Sequence, residues 1–172
     1  MKRLYSSLIV MVVFVLFAGL SETAEAIDLR SWDQRIDQRF LLRFKSDTAV
    51  LDNETQLLWE RNPGDTEQTW LDALSHCNDK NVGERKGWRL PTIQELASLV
   101  DPGNRSPALP IGHPFELTLA QEDGFFWSAT TSAGDTNIAT NVLFRDGGVS
   151  VGDKDGVEFV WCVRGGQGVD PQ

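Results

Sequence analysis

The chain has 172 residues and a formal net charge of −9 at pH 7. A surface with this excess of carboxylates repels nucleic-acid phosphates and anionic lipid headgroups, so the composition argues against a nucleic-acid-binding or membrane-surface protein. The length suits one domain of ordinary size that can bury a hydrophobic core.

The N-terminus has the pattern of a secretory signal peptide. A positively charged start precedes the apolar run Leu8–Leu20, and residues 24–26 (Ala-Glu-Ala) form a small-x-small cleavage site. The run is shorter than the about 20 residues that span a bilayer, so an uncleaved anchor is the less favoured alternative. No Cys follows the run, which argues against lipid attachment. We expect residues 1–26 to be removed on export to a periplasm or out of the cell, leaving no stable membrane span.

The remaining chain divides into three predicted parts. Residues 27–45 are expected to be an N-terminal segment that lies along the domain surface, residues 46–168 to form the domain, and residues 169–172 to be a tail. At the start of the domain, the stretches DTAVLD and QLLWE flank the polar residues 52–55. Asn and Asp side chains bond their own backbone in turns, so this pattern predicts a β-hairpin.

The stretch TWLDALSHC predicts a first helix and places one cysteine in the core. Trp70, Ala73, Leu74 and Cys77 share one helical face because they follow the i, i+3, i+4, i+7 spacing. The second cysteine is Cys162, and a lone pair in an exported protein most often forms one disulfide. Two buried free thiols or a metal pair are the alternatives, although His76 and the two cysteines do not complete a zinc spacing.

The stretch GWRLPT, residues 87–92, predicts the junction between a short strand and a second helix. Trp88 and Leu90 alternate with Arg89, so both apolar side chains can point inward while the arginine faces the other way. Pro91 supplies the bend. The stretch contains no nucleophile poised by a base, so we interpret it as structural, with the arginine paired to a carboxylate.

The second helix is predicted from its cap and its apolar stripe. Thr92 and Glu95 have the spacing of a capping box, and residues 101–103 (Asp-Pro-Gly) end the helix. The stripe consists of Ile93, Leu96, Leu99 and Val100.

The C-terminal half predicts a long loop followed by strands. Residues 101–115 contain four prolines, and loops of this length inside a domain are often functional. Tight turns are expected at residues 146–148 and 152–156. The second turn, GDKDG, has acidic residues like a calcium loop, but the further ligands of an EF-type loop do not follow, so a solvated turn is favoured. The strand candidates are residues 125–131, 139–146 and 156–165.

Several of these stretches together resemble a known family. VLDNETQLLWERNP, TWLDALSHCN, GWRLPTIQELASLVDP, FFWSATTS and VWCVRGG occur in the order and at the spacings of the Lcl C-terminal domain family. The resemblance covers roughly residues 50–166. The family is named for the C-terminal domain of a secreted collagen-like bacterial adhesin. The structural residues that carry its motifs are Trp88, Arg89, Leu90, Pro91, Thr92, Trp127, Trp161 and Arg164.

The resemblance implies an α+β fold of the C-type-lectin kind, with two helices and twisted antiparallel sheets. It also implies a disulfide from the first helix to the last strand, which maps onto Cys77 and Cys162. Two features of the relatives are missing: the chain has no collagen-like repeats, and it lacks the calcium-binding triplet of C-type lectins. The acidic balance argues against the sulfated glycans associated with the adhesin, so the resemblance transfers the fold and not the ligand.

We expect an exported binding or adhesion module, without cofactor or bound metal, that recognises a glycan or a surface protein. A structural subunit of an envelope complex is the first alternative. An enzyme resembling the formylglycine-generating enzymes is the less favoured one, because copper chemistry there needs reactive cysteines and the two present are expected to form a structural bridge. We therefore predict that the chain is not an enzyme.

The ligand face is expected on loops, because rigid sheets beneath them hold them in place. The resemblance points to residues 101–123 together with the loop 132–137. Aromatic, carboxylate and amide groups suit sugar recognition, since a ring stacks on the apolar sugar face while polar groups bond hydroxyls. The alternative is that these loop residues bind nothing. The candidate ligand-binding residues are His113, Phe115, Asp123, Asp135 and Asn137.

Overall fold

The computed structural model describes residues 36–165, which all belong to one compact unit, Asp33–Gln172. The predicted signal peptide, residues 27–35 of the predicted N-terminal segment, residues 166–168 of the predicted domain and the tail lie outside the described residues. The α-helices are α1 (Ile36–Arg39), α2 (Trp70–Asp79), α3 (Ile93–Ala97) and α4 (Leu119–Glu122). The strands are β1 (Phe40–Arg43), β2 (Ala49–Asp52), β3 (Leu57–Glu60), β4 (Trp88–Arg89), β5 (Phe125–Thr131), β6 (Ile138–Leu143), β7 (Gly148–Asp153) and β8 (Val163–Arg164).

The strands form two antiparallel sheets. One has five strands in the order β1-β2-β3-β8-β4, and the other has three in the order β5-β6-β7. The predicted α+β class is confirmed. The prediction of two helices is corrected, because the single turns α1 and α4 accompany the expected α2 and α3. A four-residue helix is too short to produce a periodic apolar pattern.

The expected β2–β3 hairpin is present, and it also anchors the start of the described chain. Asp52 is fully buried, and its carboxylate lies 3.1 Å from the guanidinium of Arg39, which also donates to the carbonyl of Ser98 at 2.7 Å. Phe40 is 6% exposed, and β1 pairs with β2. The prediction that residues 27–45 lie along the domain surface is therefore corrected in part, because residues 40–43 form an edge strand and Phe40 enters the core.

The chain segment 159–163 joins the two sheets. Every residue in it is buried, and alternate side chains enter different core clusters. Phe159, Trp161 and Val163 pack with the aromatic cluster, whereas Val160 and Cys162 pack against the cluster around α2. The predicted strand 156–165 is corrected, because only Val163–Arg164 is regular strand. The backbone of the segment is instead shared between β5 and β3.

The disulfide between Cys77 and Cys162 is confirmed. Their Cα atoms are 5.4 Å apart and their sulfur atoms are bonded. Cys77 lies on the buried face of α2, and Cys162 lies in the segment that joins the sheets. The bond therefore attaches the longest helix to the centre of the fold.

The GWRLPT stretch has the predicted structural role. Trp88 and Leu90 are 2% and 1% exposed, and the indole of Trp88 donates to the carbonyl of Arg85 at 2.8 Å. Thr92 caps α3 in a complete capping box with Glu95. The helix ends at Ala97, three residues before the predicted end, and Leu99 is still fully buried by the turn that follows.

Candidate functional site

The predicted ligand face does not form one site. Asp123 precedes the first residue of β5, whereas Asp135 and Asn137 follow its last residue. A strand rises about 3.3 Å per residue, so the two ends of β5 are roughly 20 Å apart. Asp123 instead accepts a hydrogen bond from the hydroxyl of Ser106 at 2.8 Å. The two loops expected to act together lie at opposite ends of the same hairpin.

Phe115 is a core residue and has no ring face free for a ligand. It is 6% exposed, and its ring centroid lies 5.2 Å from that of Phe40 and 4.9 Å from that of Trp161. His113 is half-buried beside it, at 5.8 Å between ring centroids, and burial lowers the pKa of its imidazole. The expectation that Phe115 stacks on a sugar is corrected.

The long proline-containing loop is fastened to the three-stranded sheet. The amides of Ser106 and Ala108 donate to the carbonyls of Arg145 and Phe144 at 2.9 and 2.6 Å. Leu109 is 2% exposed. The loop therefore completes the core, and most of it is not a displayed binding loop.

A cleft opens at the other end of the β5–β6 hairpin, where α2 begins. Its volume is about 360 Å³, and we refer to it as the Trp70 cleft. The walls come from the first turn of α2, the β5–β6 loop and the turn after β7. Six side chains that could meet a ligand are Trp70, Leu71, Asp72, Asn137, Asp153 and Asp155.

The first turn of α2 is held rigidly against the sheets. Thr69 caps the helix by accepting from the amide of Asp72 at 3.3 Å, and its hydroxyl donates to the Asp72 carboxylate at 2.7 Å. The indole of Trp70 donates to the carbonyl of Ser128 at 2.8 Å, and its amide donates to the carbonyl of Lys154 at 3.1 Å. The helix start, β5 and the turn after β7 are thereby fixed to each other.

Lys154 closes one side of the cleft with all its donors engaged. Its ammonium donates to the hydroxyl of Thr131 and to the carbonyl of Thr136, both at 2.8 Å. It also lies 3.9 Å from the centroid of the Trp70 ring, within cation–π distance. An ammonium has three N–H groups, so this lysine has no donor left for an anionic ligand.

The remaining polar groups of the Trp70 cleft are mainly acceptors. Asp72, Asp153, Asp155 and Asn137 are all exposed. Asp153 orders its own turn by accepting from the amide of Asp155 at 3.0 Å. Leu71 is 67% exposed and adds an aliphatic surface. The cleft therefore offers hydrogen-bond acceptors beside an apolar wall.

One of these six residues, Asn137, is among the ligand contacts predicted from the sequence, and the other five are not. The side chain of Asp135 supports Asn137 by accepting a hydrogen bond from its backbone amide at 2.8 Å. The GDKDG turn was interpreted as solvated, and Trp70 was assigned to the core face of a helix. The pairing of this turn with the helix start depends on backbone contacts between distant segments, which no local pattern in the sequence signals.

A second cleft, about 410 Å³, lies beside Glu60. Glu60 is 2% exposed, forms an ion pair with Lys80 and accepts from the amide of Cys162 at 2.9 Å. Burial raises the pKa of the Glu60 carboxyl more than these partners lower it. Arg61, on the same cleft, is paired with Glu116 at 3.0 Å. Glu60, Arg61 and Glu116 are engaged within the fold, so this cleft is less suited to a ligand.

No three His, Cys, Asp or Glu side chains within residues 36–165 are arranged to hold a metal ion. Over the same range, no helix is long and apolar enough to cross a membrane.

The family assignment rests on a match to the whole domain. Residues 48–164 match the family model described as the Lcl C-terminal domain. The chain belongs to the Lcl C-terminal domain family. No curated protein matches the sequence.

In this Lcl C-terminal domain the signature residues build the scaffold of the fold. Trp127 and Trp161 are fully buried, and their indoles donate to the carbonyls of Gln68 and Glu60, both at 2.9 Å. Arg164 donates to the carbonyl of Lys86 at 2.8 Å. These motif residues of the Lcl C-terminal domain therefore specify packing. The cleft residues of the first turn of α2 lie in the TWLDALSHCN motif, whereas Asn137 and residues 153–155 lie outside the motifs.

Proposed function

We propose that this chain is an exported, C-type-lectin-like binding module that recognises a glycan in the Trp70 cleft. The observation that carries the proposal is the cleft itself, in which exposed acceptors and an exposed aliphatic wall are held by a rigid helix cap. Sugar hydroxyls are donors that carboxylate and amide oxygens bind, and the C–H faces of a sugar ring pack on apolar surface.

The charge of the cleft favours a neutral or amino sugar over a sulfated one. Three carboxylates, Asp72, Asp153 and Asp155, face the opening, and the single cation of the lining, Lys154, has its donors occupied. An anionic ligand would meet uncompensated like charges at close range, which weakens binding. The net charge of −9 acts in the same direction over longer distances.

Export is supported by the disulfide. Structural disulfides form and persist in oxidising compartments and are rare in the cytosol of most organisms. The bond between Cys77 and Cys162 is fully buried, as expected for a structural bond. The proposed location is therefore a periplasm or the outside of the cell.

A binding role is favoured over an enzyme of the formylglycine-generating type. Cys77 and Cys162 are the two cysteines of the chain, and they are bonded to each other. Chemistry that needs a reactive thiol therefore has no thiol to use. We propose a module without catalytic residues, whose part is to bind.

A protein partner is the second candidate, and one observation favours it. Strand β7 is the edge of its sheet, and Val149 and Val151 on it are 58% and 57% exposed. Exposed edge strands pair readily with another chain. A structural subunit of an envelope complex could use this edge, which lies beside the Trp70 cleft.

The test is a sugar panel measured by calorimetry on the full chain. The panel holds the N-acetylglucosamine tetrasaccharide (neutral), the glucosamine tetrasaccharide (cationic) and a heparin tetrasaccharide (anionic). We expect binding of a neutral or cationic sugar and none of heparin. Asn137→Ala and Asp155→Ala should weaken it about tenfold each, the effect of one lost hydrogen bond to a charged or amide group.

Asp123→Ala is the matched control, because Asp123 is exposed and lies at the opposite end of β5. It should bind like the parent. Loss of binding in Asp123→Ala with none in the two cleft variants would place the site elsewhere. Binding of heparin alone would contradict the proposed ligand class.

A further inference from the structure

A buried asparagine and a half-buried glutamate beneath β7 share a hydrogen bond that leaves two buried acceptor atoms unmatched. The amide of Asn141 on β6 donates to Oε1 of Glu158 at 2.6 Å. Asn141 is 2% exposed. Its Oδ1 atom and the Oε2 atom of Glu158 are both buried, and neither has a hydrogen-bond partner among the described residues.

One proton would satisfy both of these oxygens. An amide oxygen and an ionised carboxylate oxygen can only accept, so they cannot bond each other. A protonated carboxyl has an O–H donor on one oxygen and an acceptor on the other. Paired with a carboxamide, it can donate to Oδ1 of Asn141 while it accepts from Nδ2. The neutral acid thus complements the amide, whereas the carboxylate leaves buried acceptors unpaired, which is costly.

The surroundings of Glu158 also favour the neutral form. Burial, with a contribution from the negative charge of Glu67, raises the pKa of Glu158 to about 7, and the hydrogen bond from Asn141 opposes the shift only in part. The groups that β5 and β7 place nearby, Trp127 and Gly152, are uncharged.

The other charged groups near this site are engaged elsewhere. On the same segment as Glu158, Lys154 is bonded to the β5–β6 hairpin, and Asp153 is bonded to the amide of Asp155. On α2, His76 lies 3.2 Å from the side chain of Gln68, and burial lowers the pKa of its imidazole. Within residues 36–165, no cation therefore contacts the carboxylate of Glu158 to favour its ionisation.

The pair is coupled to the Trp70 cleft through the backbone. Gly152 lies so close that an added Cβ would stand 2.5 Å from Oε1 of Glu158 and 2.8 Å from the Trp127 ring. The backbone amide of Glu158 donates to the carbonyl of Gln68 at 3.1 Å, and the amide of Gln68 donates to the carbonyl of Glu158 at 2.9 Å, just before the cap of α2. The cleft residues 153–155 lie between Gly152 and Glu158, so a displacement of this carboxyl moves the turn that carries them.

We infer that Glu158 and Asn141 form a proton-dependent latch, closed when the carboxyl is neutral and loosened when it ionises, that sets the order of the 153–156 turn and the affinity of the Trp70 cleft. The latch predicts tighter sugar binding in mildly acidic than in alkaline solution. This coupling rests on the proposed function, whereas the protonation of the pair does not.

The first experiment titrates the carboxyl directly. Carbon-13 NMR of glutamate carboxyls in the full chain, assigned with Glu158→Gln, should give a midpoint near neutrality. Glu67→Gln should lower that midpoint, because a neighbouring negative charge has been removed. A midpoint below about 5, close to the usual range of a glutamate, would overturn the latch.

The second experiment measures hydrogen exchange of residues 148–157 at fixed pH. Glutamine at 158 is nearly isosteric with the neutral acid and can both donate to and accept from Asn141. At pH 8.5, Glu158→Gln should exchange more slowly than the parent, and at pH 5.5 the two should match. Glu84→Gln is the control, since Glu84 is exposed. Equal exchange in parent and Glu158→Gln at pH 8.5 would overturn the latch.

The third experiment tests the coupling with the uncharged N-acetylglucosamine tetrasaccharide, so that the ligand does not titrate. Its dissociation constant for the parent should rise by up to about 30-fold from pH 5.5 to 8.5, following the neutral fraction of Glu158, and stay level for Glu158→Gln. Binding whose pH dependence survives in Glu158→Gln overturns the coupling. No binding at either pH, with the first two results positive, refutes this neutral ligand for the cleft and leaves the latch standing.

Discussion

Arg89 and Glu95 form a two-point ion pair across the turn between β4 and α3. Nη1 lies 2.8 Å from Oε2 and Nη2 lies 2.7 Å from Oε1. Arg89 also donates to the carbonyl of Gly165 at 2.8 Å, and Glu95 accepts from the amide of Thr92 at 2.8 Å. A single pair of side chains thereby links the helix cap to the end of the last strand.

Ionised Glu95 should stabilise the fold above pH 4.5 and lose this effect in acid. Burial raises the pKa of Glu95, but Arg89 and the Thr92 amide outweigh burial and leave it below the usual value of 4.5. A carboxyl whose pKa is lower in the folded than in the unfolded protein contributes stability that is fully present above its unfolded-state pKa. This stability is lost as the pH falls through its folded-state pKa.

The measurement is urea unfolding at pH 7 and at pH 3. Glu95→Gln should cost about 1.5–3 kcal/mol at pH 7, the value of hydrogen bonds to a charged group, and the deficit should shrink at pH 3. Gln94→Ala, an exposed neighbour on the same helix, should change little at either pH. A deficit that is equal at both pH values would show that the charge of Glu95 is not involved.

Phe115→Ala should destabilise the domain strongly. The ring is 6% exposed and contacts Phe40 and Trp161. Truncating a buried phenylalanine costs about 3–5 kcal/mol through lost burial and the cavity left behind. Thermal unfolding followed by near-ultraviolet circular dichroism checks this, with Ile111→Ala, at 82% exposed, as control. An unchanged melting temperature for Phe115→Ala would restore it as a candidate ligand contact.

Local patterns in the sequence predicted much of the fold. The capping box at Thr92 and the helical face of Cys77 depend on residues a few positions apart, and both are present. Strand β5 coincides with the predicted residues 125–131. These signals are local because a cap hydrogen bond joins residues only a few positions apart, and the side chains of a strand alternate from one residue to the next.

The site could not be predicted in the same way. The Trp70 cleft exists because Trp70 and Lys154 are brought together by a backbone hydrogen bond between segments far apart in sequence. Phe115 was misassigned because a phenylalanine in a proline-containing loop carries no periodicity that separates core from surface. Asp123 and Asp135 were both predicted to lie on the loops of one ligand face, and only the length of β5 shows that they are far apart.

Removing the disulfide should lower stability by roughly 4–5 kcal/mol. The bond closes a loop with a sequence separation of 85, and the chain-entropy model gives this cost for a loop of that size. The double variant Cys77→Ala, Cys162→Ala avoids leaving one unpaired buried thiol. Urea unfolding of parent and variant measures the difference, and adding a reductant should affect the parent alone. Equal stability of the two proteins would show that the bond is dispensable for the fold.

Lys154→Met should disorder the Trp70 cleft while the core remains folded. The methionine keeps the aliphatic stem but loses the ammonium that bonds Thr131 and Thr136 and lies over Trp70. Hydrogen exchange of residues 132–137 should become faster, and sugar binding should weaken, whereas exchange of β2 and β3 should stay unchanged. Lys86→Met, at an exposed position outside this cleft, is the control and should leave both measurements as in the parent. Faster exchange with unaltered sugar binding would show that Lys154 orders the loop without contributing to binding. Unaltered exchange would show that Lys154 does not hold the loop.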